Sequence, residues 1–356
     1  MKKSWFERFC RQVVRPQYQV LALLFTFAVV LFFGWKAIRL YRPLEQWPEV
    51  TSIVPEKIKE WGGEPVVVDV GLYLTNWRVF DVVNNDFAVD AVVWFQFDPS
   101  LISLETIGKF SFEKGELFSK SDPNTKLIDK KLFAEYKVRL RFTSTLNHQF
   151  FPLDDHHIYM TLVNTYVSPN EVIFQAYKSD FSISKHIYIP GWQLVNRSVK
   201  AGYEEGYFSK FDTRKVIRYP EVVFMLDFAR FGISLIFLIF LPFFLIFFIS
   251  IFWLGFEPDK IESIMPLTTG ALASLIAYRF VIQGMSPKVG YFLLSDHIFT
   301  FFLALAFVSF VIALIWVRYG KMSPAMIKLR GMAFISFHLL FIGVWYYLLF
   351  MWVKGL

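Results

Sequence analysis

The chain has 356 residues, is 55% hydrophobic and 20% aromatic, and contains 43 Phe and one Cys. Water-soluble domains run at about 45–50% apolar and about 25% charged, so 19% charged residues beside this phenylalanine load exclude an ordinary soluble globule. The net charge of +7 does not indicate nucleic acid, because Lys2, Lys3, Arg8, Arg11 and Arg15 cluster ahead of an apolar run as a topology signal, and the lone Cys10 excludes an intrachain disulfide framework.

Residues 1–16 form the basic segment and 17–35 the first span. Val20 to Trp35 is apolar apart from Thr26. It exceeds the ~7–15-residue core of a signal peptide and lacks an A-x-A-like cleavage site, so it reads as a retained anchor, or an uncleaved signal. Residues 36–64, with Pro43, Pro48, Pro55 and Gly62-Gly63, read as a linker.

From Pro65 the apolar pattern has period two. Phe87, Val89, Ala91, Val93, Phe95 and Phe97 form one face opposite Asp90 and Gln96. Tyr136, Val138, Leu140 and Phe142 alternate likewise with Lys137, Arg139 and Arg141. Similar runs at 66–74, 158–166, 171–177, 192–199 and 222–228 predict an all-β, antiparallel, immunoglobulin-like sandwich over 65–229.

Residues 231–356 carry only eight Lys or Arg and four Asp or Glu, and a transmembrane domain is expected over 230–356. Four helices, about 231–256, 260–283, 296–317 and 331–353, are each long enough to cross the ~30 Å hydrocarbon layer. Arg318, Lys321, Lys328 and Arg330 mark the short loop between the last two as cytoplasmic, which puts the N-terminus inside and the β-domain outside; Lys36, Arg39 and Arg42 oppose this. At about 100° per residue, the second helix gathers Glu262, Pro266, Thr269, Ala273, Ala277, Phe280 and Gly284 on one narrow stripe, and Gly270 joins them as a pore-lining candidate. Small residues suit close helix packing, and repeated around a ring they also suit an aqueous path. Arg279, far from the stripe, is expected to snorkel or to pair.

Three stretches together resemble the pentameric ligand-gated ion channels, the Cys-loop receptor superfamily, and most of all its bacterial members. They are Phe151-Pro152-Leu153-Asp154, then Arg230 with Pro242, Ser250 and Phe252-Trp253-Leu254, and lastly Ala277-Tyr278-Arg279-Phe280 through Ser286-Pro287-Lys288-Val289-Gly290-Tyr291 to Asp296. The resemblance covers roughly residues 65–353. It implies a homopentamer in a bacterial inner membrane, an agonist site between neighbouring sandwiches, and monovalent cations passing along the second helices through a ring of Glu262 carboxylates. It places Asp81, Asp86, Pro152, Asp154, Arg230, Pro287, Lys288 and Tyr291 at a gating interface, with Arg230 expected to pair with Asp154 or Asp81. It offers Trp94, Tyr166, Tyr203, Tyr207 and Phe208 as ligand aromatics. Leu153 departs from the family's usual Phe, Ala273 and Ala277 stand where a bulky gate is usual, and the N-terminal helix is extra to the common plan.

Two other readings share the fold: gating by protons, for which carboxylates and His148, His156, His157 and His186 are available, and a nonconducting membrane sensor. Asp154, Asp155, His156 and His157 with His148 raise a membrane-anchored metalloenzyme, but adjacent strand residues face opposite ways and do not converge without a turn. No phosphate loop, nucleophile elbow or HExxH occurs, so the expectation is no enzyme, no cofactor and no metal.

Overall fold

A computed structural model describes residues 5–38, 45–208, 216–230, 234–257, 260–319 and 324–351. In chain order these begin with helices α1 (Trp5–Val13), α2 (Pro16–Ile38) and α3 (Pro55–Glu60) and strands β1 (Val66–Asp81) and β2 (Asp86–Phe97). Then come α4 (Leu104–Gly108), β3 (Ser111–Phe112), β4 (Gly115–Lys120), β5 (Asn124–Ile128), β6 (Lys131–Phe142), β7 (His156–Val163), β8 (Val172–Gln175) and β9 (Phe181–Ile183). The remainder is β10 (Trp192–Tyr207), β11 (Val216–Arg230), α5 (Ser234–Phe252), α6 (Ile261–Met285), α7 (Leu294–Tyr319) and α8 (Pro324–Tyr346). The chain divides into a β-unit, residues 43–147 and 155–232, and a helical unit, residues 1–42, 148–154 and 233–356.

The β-unit holds two sheets. One has seven strands in the order β4-β6-β2-β1-β8, with β5 beside β6 and β9 beside β1; the other runs β10-β11-β7-β3. Along β2 every second residue, Phe87 to Phe97, is buried. The alternate Asp90 faces outward and is held by Arg78 at 2.6 Å and Arg139 at 3.1 Å. One apolar cluster draws on both sheets, with Val89, Phe95 and Leu140 from the first and Ile158, Leu162, Phe224 and Phe228 from the second.

Not every ladder is antiparallel. β8 and β9 run parallel to β1, Val66 beside Val172 and Leu72 beside Phe181. The chain leaves β7 in the four-stranded sheet and reaches the free edge of β1 by a crossover, the kind of connection a parallel neighbour requires. The expected linker is also largely structured. Residues 45–51 form a strap across the four-stranded sheet: Trp47 and Val50 pack on Tyr159, Val223 and Met225, and Thr51 exchanges two backbone hydrogen bonds with Tyr203. Gly202 permits this, since a Cβ there would meet the Thr51 carbonyl oxygen at 2.4 Å.

Among the described residues of the helical unit, five helices are long and apolar enough to cross a membrane: Pro16–Lys36, Ser234–Gly255, Ile261–Met285, Leu294–Tyr319 and Ala325–Phe350. The protein is therefore an integral membrane protein. α8 starts earlier than expected and takes Lys328 and Arg330 into its first turns, because Pro324 is a favourable first helical residue and charges are tolerated near a helix end. An aromatic core ties the helices together. Phe247 of α5 stacks on Phe341 of α8 at 4.8 Å and lies 5.6 Å from Phe302 of α7.

The N-terminal segments belong to this packing. Cys10 of α1 is buried, and a Cβ on Gly331 of α8 would meet its Cβ at 2.6 Å. Thr26 Oγ1 of α2 and His338 Nδ1 of α8 share a buried 2.8 Å hydrogen bond.

Candidate functional site

α6 is the least apolar of the five spanning helices. Its buried side chains, Ile264, Thr268, Ala271, Leu275 and Ile282, form one narrow stripe. Glu262, Pro266, Thr269, Gly270, Ala273, Ala277 and Phe280 are all exposed, and at about 100° per residue they lie roughly opposite that stripe. The threonine hydroxyls are satisfied within the helix: Thr268 Oγ1 donates to the Ile264 carbonyl at 3.2 Å and Thr269 Oγ1 to Met265 at 2.8 Å. Arg279 pairs, the second of its two expected fates, with its guanidinium donating to Asp296 of α7 and lying 5.3 Å from the Phe299 ring. Asp296 Oδ2 also accepts the Leu293 N–H at 2.9 Å.

The 148–154 segment joins β6 to β7 in sequence, yet it belongs to the helical unit. Phe150, Phe151 and Leu153 enter the helical apolar core, and the Phe151–Pro152 bond is cis. The first N–H groups of α7 have no intrahelical acceptor, and this loop supplies it: Leu294 N–H donates to Gln149 O at 2.8 Å and Ser295 N–H to Phe151 O at 3.2 Å. The His148 N–H donates to the Tyr291 hydroxyl at 3.0 Å, and the His148 ring meets Asp154 at 3.2 Å. Thus Pro152, Asp154 and Tyr291 belong to one assembly around the start of α7. Pro287 is buried nearby in sequence, and Lys288 is exposed.

The other gating candidates lie in the β-unit. Asp81 closes its own turn by accepting Asn84 N–H at 2.9 Å and Asn84 Nδ2 at 2.7 Å. Asp86 takes Arg141 in a two-pronged pair at 2.7 and 2.6 Å, and this hydrogen bonding holds its carboxyl below the usual range. The Arg230 N–H donates to Asp155 at 2.8 Å, while its guanidinium stacks over Trp192 at 4.3 Å.

The ligand aromatics are divided between the two sheets, Trp94 on β2 and Tyr203 and Tyr207 on β10. Trp94 lies on the seven-stranded sheet with its ring across Gly71, where a Cβ would come within 2.1 Å of it. Tyr203 is fully buried, its hydroxyl accepting Lys57 and its ring 5.4 Å from Trp61. Tyr166, Tyr207 and Phe208 are exposed.

The residues of the metal alternative each have partners of their own. Asp155 accepts Arg230, His156 Nδ1 meets the buried Glu45 at 2.6 Å, and His157 lies 3.7 Å from Asp227.

Sequence reading missed the face of the four-stranded sheet that turns away from the core. There Glu221 is buried in register with Gly202, beneath the strap. Burial pushes its carboxyl up to about 8, and Glu204 and Glu113 add to the rise. Its signal was visible, because Glu221 breaks the polar-out rule only if something covers that face. His338 also signalled, as an ionisable residue inside an apolar span. No protein-family model and no curated protein matches this chain.

Proposed function

We propose that this chain is one subunit of a homopentameric, cation-conducting ligand-gated channel of the Cys-loop receptor type. The observation that carries the reading is α6, a membrane-length helix whose small and polar residues face away from its own chain. In lipid such a face gains nothing by exposure, so it calls for helix neighbours or water. A ring of five α6 helices supplies both.

In this reading the β-unit is a two-sheet sandwich outside a bacterial inner membrane and α5 to α8 form the pore bundle. The N-terminus is cytoplasmic, as Arg318, Lys321, Lys328 and Arg330 suggest. Glu262 opens the inner mouth, and its carboxylates concentrate monovalent cations. The agonist is a small molecule held between neighbouring β-units, with exposed Tyr166, Tyr207 and Phe208 available on one and Trp94 on the other. Motion reaches the pore through the 148–154 loop, which caps α7 and holds Tyr291 by hydrogen bonds.

Protons as the agonist are a second reading, favoured by the buried Glu221 with Glu204 and Glu113 near it. Current from purified protein in planar bilayers, across pH and a ligand panel, tests both. In a KCl gradient the wild-type reversal potential is expected near that of potassium, and Glu262→Gln is expected to move it toward zero. Absence of current under every condition sinks the channel and leaves the sensor; an unmoved reversal potential sinks the Glu262 ring alone.

A further inference from the structure

Within the β-unit a cavity of about 520 Å³ is walled by Trp77, Ile189, Trp192 and Phe228 and edged by Lys185 and Arg197. Its chemistry is set by a register shift. Directly paired strand residues share a face of the sheet. Leu194 pairs with Phe228, Val199 with Phe224 and Ala201 with Val222, and these β11 partners face the core. Between Leu194 and Asn196 the register slips by one residue. Arg197, rather than Asn196, therefore falls opposite Leu226, another core residue. A bulge re-aims the side chains beyond it, and here it turns a guanidinium to the apolar side of β10.

Arg197 is half-buried, and neither its side chain nor that of Lys185 forms an ion pair or hydrogen bond among the described residues. None of the cavity's lining residues is acidic. A guanidinium held against an apolar wall without a counter-charge costs desolvation that water only partly returns, and a bound anion offsets it. The volume lies in the range of small-ligand pockets, about 300–1,000 Å³, and an apolar wall with one or two placed charges is their usual make-up.

We propose that this cavity binds a small amphipathic carboxylate. Its apolar body lies among Trp77, Trp192 and Phe228, and its carboxylate takes the two-pronged donor face of Arg197, with Lys185 adding charge. The site is distinct from the agonist site proposed between neighbouring subunits. It adjoins Arg230, whose guanidinium stacks on the same Trp192 ring.

The test is calorimetric titration of the full-length protein in zwitterionic lipid nanodiscs, with empty discs subtracted, using 4-phenylbutyrate and its uncharged counterpart 4-phenylbutan-1-ol. The acid is expected to bind at least tenfold more tightly than the alcohol, the scale of a charge-assisted hydrogen bond. Arg197→Gln is expected to abolish that preference while leaving the alcohol's affinity in place, and Arg197→Lys to keep part of it. Unaltered alcohol binding shows that the variant's cavity is intact. Equal binding of acid and alcohol, a preference that survives Arg197→Gln, or no binding of either overturns the proposal. Because the readout is heat and not current, its failure leaves the channel reading untouched.

Discussion

Along β2 of the β-unit every second side chain is buried and the alternates carry Asp90 and Gln96 outward, whereas in the helical unit α5 is apolar on all sides and α6 turns small and polar groups away from its neighbours. The first arrangement is what water selects, since a polar face outside and an apolar face inside are both satisfied. The second has no such reward in lipid, where an exposed apolar side chain costs nothing and an exposed polar one is expensive. Sidedness in the β-unit therefore reports folding, while sidedness in α6 is what the proposed ring of subunits accounts for. Charge follows the same division. The β-unit surrounds Asp86 and Asp90 with arginines and buries Glu221 under a strap, while the helical unit answers Arg279 with Asp296.

The largest effect is expected at the aromatic core of the helical unit. Phe247 is fully buried, and Phe247→Ala removes a ring from the stack with Phe341 and Phe302. The expected loss is about 3–5 kcal/mol, read by equilibrium unfolding in mild detergent. A loss under about 1 kcal/mol means that lipid, not packing, holds that unit together.

Glu221 sharpens the contrast from the other side. Its folded-state carboxyl is raised from 4.5 to about 8 by burial and by Glu204 and Glu113. The folded chain thus holds this proton more tightly than the unfolded chain. The resulting stability is fully present below about pH 4.5 and is lost as pH rises through about 8. Thermal unfolding between pH 5 and pH 9, in steps of about one unit, is expected to show wild-type stability falling with pH and Glu221→Gln falling less. Parallel curves for the two proteins refute the assignment.

The smallest effect concerns the polar pair that joins α2 to α8. Thr26→Val removes the hydrogen bond to His338 at nearly constant volume, and about 1 kcal/mol of stability is expected to go with it in the same detergent unfolding. A far larger loss would rank this polar contact with the aromatic core and blur the distinction between the units.

Much of this was legible from residues alone because it is local. The period of Phe87 to Phe97 marked a strand with one buried face, and the long apolar runs marked the five spans, since spacing along one element needs no knowledge of its neighbours. The composition of α6 marked its odd face for the same reason. Features that depend on distant segments were not legible. Residues 45–51 looked like a linker because Pro48 and the polar groups around it carry no period, yet Trp47 and Val50 cover a sheet that is completed more than a hundred residues later. The 148–154 loop looked like part of the β-domain because strands flank it, and only its phenylalanines and the carbonyls that accept from the start of α7 assign it to the helices.

Residues alone mark a membrane protein with a β-rich unit, the places where its spans fall, and the members of the α6 stripe. These follow from hydropathy and period, which are properties of short windows. The packed chain alone reveals that β8 and β9 run parallel to β1, that α1 and α2 pack against α8, that Glu221 is buried, and that a one-residue slip turns Arg197 inward. The physical reason is common to all four: register and burial are set by which surfaces meet, and a strand displaced by one residue exchanges its faces without changing its sequence.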